Sequence, residues 1–190
     1  MTNFVPLLIH ENVIFPLQNA ELIVSNASQI ELLEYCFDQK KPFGIGFFMN
    51  HHLRDMGVLA HCISIKKNEK NWAIVQIKTI QLIYILERVL QIPNKRYSGA
   101  IVSYPINSLL TSKDMLVEIL SYINRETQLN IESKPVMENS AYDLATKIIT
   151  KDEEKYELLT IANEVQRLEY LRRYLQRTKA AKNFKGFSLS

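Results

Sequence analysis

Ala100-Ile101-Val102-Ser103-Tyr104-Pro105 is the stretch at which this chain changes character. Upstream of it the apolar residues come in short runs rich in β-branched and aromatic side chains. They are Val13-Ile14-Phe15, Leu22-Ile23-Val24, Phe43-Gly44-Ile45-Gly46-Phe47-Phe48, Val58 to Ile65, Trp72 to Ile77 and Ile80 to Leu86, with Ala100-Ile101-Val102 closing the series. Turn residues bound these runs, which predicts an antiparallel β domain. Asn68-Glu69-Lys70-Asn71 predicts a hairpin turn, since Asn tolerates left-handed backbone angles. Pro16, Pro42, Pro93 and Pro105 fall at strand ends or edges, where a missing N–H is harmless. One helix interrupts the strands. Ser25 or Asn26 caps it, Ile30, Leu33 and Phe37 mark its apolar face with Leu32 and Cys36 beside it, and Lys40-Lys41-Pro42 end it. Strand, helix, strand and then a β meander predict a helix plugging an open barrel.

Downstream of Pro105 the period becomes helical. Met115, Leu116, Ile119, Leu120 and Ile123 share a face, and a polar stretch runs from Asn124 to Pro135. Ala141, Leu144, Ala145 and Ile148 mark a second helix. Thr150-Lys151-Asp152-Glu153 reads as a capping box opening a short third helix with Tyr156, Leu158 and Leu159. Asn163 followed by Gln166 opens a long fourth one, with Val165, Leu168, Leu171 and Leu175 inward and a tail from Thr178 to Ser190. The fold class predicted is α+β, with a β-rich part over 1–107 and a helical part with a basic tail over 108–190.

The formal net charge of +3 over 190 residues is unevenly spread. Asn163 to Ser190 holds seven Lys/Arg against two Asp/Glu, whereas the residues before it hold sixteen against eighteen. The basic balance therefore belongs to the last helix and tail. Such an end complements the helix macrodipole. It is also a candidate nucleic-acid surface, formed by Arg167, Arg172, Arg173, Arg177, Lys179, Lys182 and Lys185, though without the interleaved aromatics of a binding motif. Two cysteines in apolar contexts, Cys36 and Cys62, read as free thiols of a reducing compartment. The first residues lack the basic and long apolar regions of a signal peptide, and no apolar run approaches the ~18 residues of a membrane span. The expectation is a cytoplasmic protein without membrane contact.

Catalytic motifs are scarce. There is no G-x-x-x-x-G-K-[ST], G-x-S-x-G, H-E-x-x-H or C-x-x-C. Gly44-Ile45-Gly46 lacks a third glycine and a following helix, and reads as a strand that needs close packing. His51, His52 and His61 with Cys62 have poor ligand spacing for zinc, so no metal is expected. Ser64 and Lys66 share a strand face by alternation alone, with nothing to supply an oxyanion hole. Asp152-Glu153-Glu154 is helix N-terminal charge. No catalytic residue and no cofactor are expected.

The order of these segments resembles the N-terminal substrate-recognition domain of the Lon protease family, over roughly Phe4 to Arg177. Val5-Pro6-Leu7-Leu8 with Val13-Ile14-Phe15-Pro16 resembles the family's opening "PLLPL…VLFP", and Pro42-Phe43-Gly44-Ile45 its second β segment. Met56-Gly57-Val58-Leu59-Ala60 with Ile63 resembles "G-T-x-A-x-I", and Tyr97 to Val102 resembles "Y-x-A-x-V". Glu153 to Leu159 resembles "E-E-K-Q-x-L-L", and Val165 to Leu171 resembles "V-x-x-R-L-E-x-L". There are departures. The family's Gly and Arg around Lys78 and Gln81 are missing, Leu17 stands where a glycine normally follows Phe-Pro, and residues 68–71 lack Asp-Gly.

The resemblance implies a barrel similar to the pseudouridine-synthase-and-archaeosine-transglycosylase (PUA-like) fold, followed by a helical bundle. It implies a stand-alone, non-catalytic module that binds unfolded or damaged polypeptides or a partner protein, in company with a separate ATPase or protease. Leu53 and Met56 beside the His51-His52 loop, and Phe184 and Phe187 in the tail, are the candidate polypeptide contacts. Leu53 and Met56 have a second reading, as caps of the barrel core.

Overall fold

The computed structural model describes residues 2–68, 72–107, 113–127 and 140–187, with side chains to Thr178 apart from those of Thr2, Lys113, Met115, Glu126 and Thr127. The chain divides into two compact units, Met1–Pro105 and Ile106–Ser190.

The first unit is a six-stranded sheet with one helix: β1 (Thr2–His10), β2 (Asn19–Val24), α1 (Ala27–Asp38), β3 (Phe43–Met49), β4 (His52–Lys67), β5 (Ala73–Val89) and β6 (Gly99–Ser103). The strand order is β2-β5-β4-β3-β1-β6, and β6 pairs in addition with β5. Strands β5, β4, β3, β1 and β6 thus form a closed cycle of pairings, and the expectation of an open barrel gives way to it. Closure follows from the 17-residue length of β5. One edge of its first half carries β2, and its second half pairs with β6 from Tyr84↔Ser103 to Val89↔Gly99. Register shifts at Gly46/Phe48, Leu59/Ala60, Cys62/Ser64 and Ile85/Glu87 provide the bends that such a ring needs.

The interior of the ring is apolar. Val5, Leu7, Leu59, Ile83, Ile85, Ala100 and Val102 form a buried cluster, edged by Ile9, Leu53, Ile80 and Tyr104. Glycines let the strands approach there. A Cβ on Gly44 or Gly46 would lie 2.9 Å from Ile83 Cδ1 or Leu53 Cδ1. A Cβ on Gly57 would strike the Ile45 carbonyl. Among the described residues of this unit Thr79 is the buried polar exception. Its hydroxyl donates to the Phe15 carbonyl (2.7 Å) and accepts from Gln18 N–H (2.8 Å), pinning the β1–β2 loop. Inside that loop Leu17 has φ 64°, the left-handed region that glycine occupies without penalty.

Helix α1 begins at Asn26, whose Oδ1 accepts from Ser28 and Gln29 N–H. It ends with Lys40 at φ 52°, Lys40 N–H on Phe37 O and Lys41 N–H on Cys36 O. This is a Schellman stop with lysine at the glycine position. Ile30, Leu32, Leu33 and Cys36 are buried, and the helix packs on β4 and β1. Phe37, expected inward, is exposed.

Other expectations change as well. Val13-Ile14-Phe15 is loop, although Val13 and Phe15 are buried, and the first strand lies earlier, at Thr2–His10. Trp72–Ile77 and Ile80–Leu86 join into one strand. Of the turn expected at Asn68-Glu69-Lys70-Asn71, residues 69–71 lie outside the described residues; Asn68 N–H reaches Trp72 O (2.9 Å).

The second unit holds α2 (Lys113–Thr127), α3 (Ala141–Ile148), α4 (Asp152–Leu159) and α5 (Glu164–Phe187), with α2 and α3 in contact with α5. Ser140 and Asp143 form a reciprocal capping box on α3. The cap expected at Thr150 is absent; Lys151 is the N-cap of α4, without a side-chain bond. Asn163 Oδ1 caps α5 through Val165 N–H (2.9 Å). Helix α5 runs on through Phe187, over most of the segment expected as tail. Val165 faces out, because Glu164, Arg167, Leu168, Leu171 and Leu175 take the buried face.

Candidate polypeptide-binding surface

Leu53 is half-buried and packs against the interior cluster, closing the ring beside Gly46. That is the core-capping role. Met56 lies in register with Tyr84 across β4 and β5. Tyr84 in turn is opposite Ser103, and Ile101 is opposite Phe4. Alternation puts these side chains on the outer surface of the ring, where Tyr84, Leu86 and Phe4 are exposed. Met56 therefore sits in an apolar strip that sequence reading did not assemble.

A second apolar set lies on β2 and the first half of β5. Ile23 and Ile74 are cross-strand partners, both exposed, and exposed Trp72 lies two residues before Ile74. Val75, Ile77, Leu22 and Val24 face the buried side of the same strands. The sequence carried little signal for it: the exposed phase of this half of β5 reads Ile74, Gln76, Lys78, so only its start is apolar. Phe184 and Phe187 lie in the last turns of α5, and their side chains are outside the described ones.

The basic helix is organised differently from the expectation. Arg167 is buried, at 0% exposure. Its Nε donates to Glu164 Oε2 (2.8 Å) and its Nη1 to Asn107 Oδ1 (2.8 Å) and Ile161 O (2.6 Å), with the guanidinium 4.6 Å over the Tyr142 ring. A buried charge needs such partners, and they leave Arg167 no access to a phosphate. Arg172 and Arg173 both bond Glu169, at 2.7–2.8 Å. The bonds from these two arginines hold the Glu169 carboxyl down from 4.5 to about 2. Arg177 is exposed, and the side chains of Lys179, Lys182 and Lys185 lie outside the described ones. The geometry thus withdraws one of the expected phosphate contacts and engages two more.

The remaining candidates do not converge. His51 is in the two-residue β3–β4 turn with Asn50, both with positive φ, and His52 is already in β4 opposite Met49. His61 lies opposite Lys78, and Cys62 opposite Ile77. No group of metal-binding side chains forms among the described residues. Burial pushes the Cys36 thiol up to about 12 and the Cys62 thiol to about 11, so neither is a thiolate nucleophile at neutral pH. Ser64 and Lys66 face Gln76 and Ile74 across the sheet. Among the described residues no helix is long and apolar enough to cross a membrane.

No family model matches this chain, and no curated protein does. Solved structures do. A Lon N-terminal domain protein from Xanthomonas campestris superposes with a TM-score of 0.72 at 15% identity, covering 90% of this chain and 98% of that one. The N-terminal domain of a Mycobacterium avium complex Lon protease gives 0.70 at 14% identity, covering 92% and 98%. At such identities the likeness is one of fold: this chain has the fold of a Lon N-terminal domain.

Proposed function

We propose that this protein is a non-catalytic recognition module that binds unfolded or damaged polypeptides in the cytoplasm, its β unit acting as a PUA-like barrel. Delivery of what it holds then falls to a separate ATPase or protease. The observation that carries the reading is the exposure of apolar side chains towards both ends of β5: Trp72 and Ile74 at one, Tyr84 and Leu86 at the other. A sheet that leaves two such groups of large apolar side chains in water favours a partner that covers them. The Lon-type fold supports the same reading by likeness. Met56, Leu53, Phe184 and Phe187 are proposed contacts, with Met56 the best placed of them, beside Tyr84.

The test is a fluorescence titration against a permanently unfolded chain, such as reduced and carboxymethylated α-lactalbumin. Saturable binding that weakens on Met56→Lys or Tyr84→Lys is the expected result. Absence of binding by a folded sample at high micromolar concentration would overturn the proposal.

A further inference from the structure

The β2–β5 pairing runs without a shift from Asn19↔Lys78 to Val24↔Ala73. Its hydrogen-bonding phase is set just before the strand, where Thr79 N–H donates to the Gln18 carbonyl at 2.8 Å in the same register. Opposed residues of an antiparallel pair alternate between bonded and non-bonded. The backbone groups of Ala20, Leu22 and Val24 therefore face β5, and those of Asn19, Glu21 and Ile23 face away from it. Among the described residues no strand pairs with that outer edge.

Natural edges are blunted by charged side chains, lysine above all, by proline or by a bulge. β2, Asn-Ala-Glu-Leu-Ile-Val, carries no proline, lysine or bulge, and its one charge, Glu21, is engaged by the Gln76 amide. The side chains add a chemical preference. Ile23 is 63% exposed and continues the apolar row of Ile74 and Trp72. Lys78, opposite Asn19, and Lys66, opposite Ile74, are exposed cations on that row's flanks, and the Glu21 carboxylate already accepts a bond from the Gln76 amide.

We infer that the free edge of β2 takes up an extended polypeptide segment as an added strand. The segment bonds to the backbone of Glu21 and Ile23, sets an apolar side chain beside Ile23, and turns an acidic one toward Lys78. The unpaired edge calls for an extended backbone, the apolar row selects its alternate residues, and Lys78 selects the sign of its flanking charge. This inference rests on the polypeptide-binding reading and adds the place and conformation in which the chain is held.

The experiment uses the full chain and fluorescein-labelled, reduced and carboxymethylated α-lactalbumin, read by anisotropy. Glu21→Pro removes an outward N–H that the β5 ladder does not use, and Ile23→Lys sets a charge on the edge. Each is expected to weaken binding by about tenfold, the scale of one lost contact of moderate strength, with the Trp72 fluorescence melt kept. In the wild type, amide exchange at Glu21 and Ile23 is expected to slow on binding, while Leu22 stays as it was.

If the wild type binds and both folded variants bind as tightly, strand addition is overturned and the recognition reading stands. If either variant fails to fold, the exchange measurement decides, and unchanged amides at 21 and 23 overturn the inference. If the wild type binds no probe, both readings fall together. A wild-type dimer abolished by Glu21→Pro, with no probe bound, overturns it in favour of a second copy.

Discussion

The β unit and the helical unit fill their interiors by opposite means. Among the described residues the β unit buries one polar side chain, Thr79, and otherwise packs aliphatic and aromatic groups, with glycines where strands approach. The helical unit buries an ion pair, with Arg167 at 0% and Glu164 at 2% exposure, and threads it through Asn107, Ile161, Tyr142 and the Ala141 N–H. Apolar packing tolerates small losses at many places. A buried charge network concentrates its risk in one residue, because removing a partner leaves the other charge uncompensated. The first unit is thus held diffusely and the second through a hub.

The sharpest way to break this contrast is Arg167→Met. Losing one partner of a buried pair costs about 3–5 kcal/mol. The helical far-UV signal is expected to melt early while the fluorescence of Trp72, the only tryptophan, keeps its transition. If the two signals fall together, the two units are one cooperative body and the contrast fails.

Thr79→Val asks the reverse question of the β unit. It leaves Phe15 O and Gln18 N–H without their side-chain partner. The expected loss is about 1–3 kcal/mol, seen as a lower denaturant midpoint for Trp72. Leu17→Gly and Lys40→Gly sharpen the picture from the other side. Both positions have positive φ, and relieving each is expected to stabilise the unit by about 1 kcal/mol, seen as a higher midpoint.

The smallest effect is electrostatic. A carboxylate whose pKa is lower in the folded chain binds fewer protons there than when unfolded. The Glu169 contribution is therefore complete above about 4.5 and lost as pH falls toward 2. The site is partly open to solvent, so the loss is expected to stay below ~1 kcal/mol. Glu169→Gln is expected to flatten that part of an acid titration of helicity.

Some of this was legible in the chain and some was not. The change at Pro105, the Asn26 and Asn163 caps and the glycine-lined strand at Gly44 and Gly46 are local chemistry, and local chemistry is written in neighbouring residues. β1 escaped because Val5, Leu7 and Leu8 are buried without clean alternation, and Pro6 interrupts the run. β5 was split in two because its bulges change the phase of alternation partway along. Arg167 looked like one cation among seven in a basic helix. Only the third dimension brings Asn107 and Tyr142 to it. The exposed strip around Met56 was invisible for the same reason, since Tyr84, Ile101 and Phe4 are far apart in the sequence. Leu17 carried a signal in plain view: the family resemblance puts glycine there, and the backbone still adopts the conformation glycine would choose.

The ring has a consequence for how the molecule is made. Its first strand is held by its last, from Thr2↔Ser103 to Pro6↔Gly99. A ribosome delivers β1 roughly a hundred residues before the partner that locks it. Until β6 emerges, β1 has β3 to pair with, in a parallel pairing, and α1 to pack against. Contacts so distant along the chain form slowly. The nascent β unit therefore stays open at one seam until residue 103 has emerged, and completes itself in a single late closure.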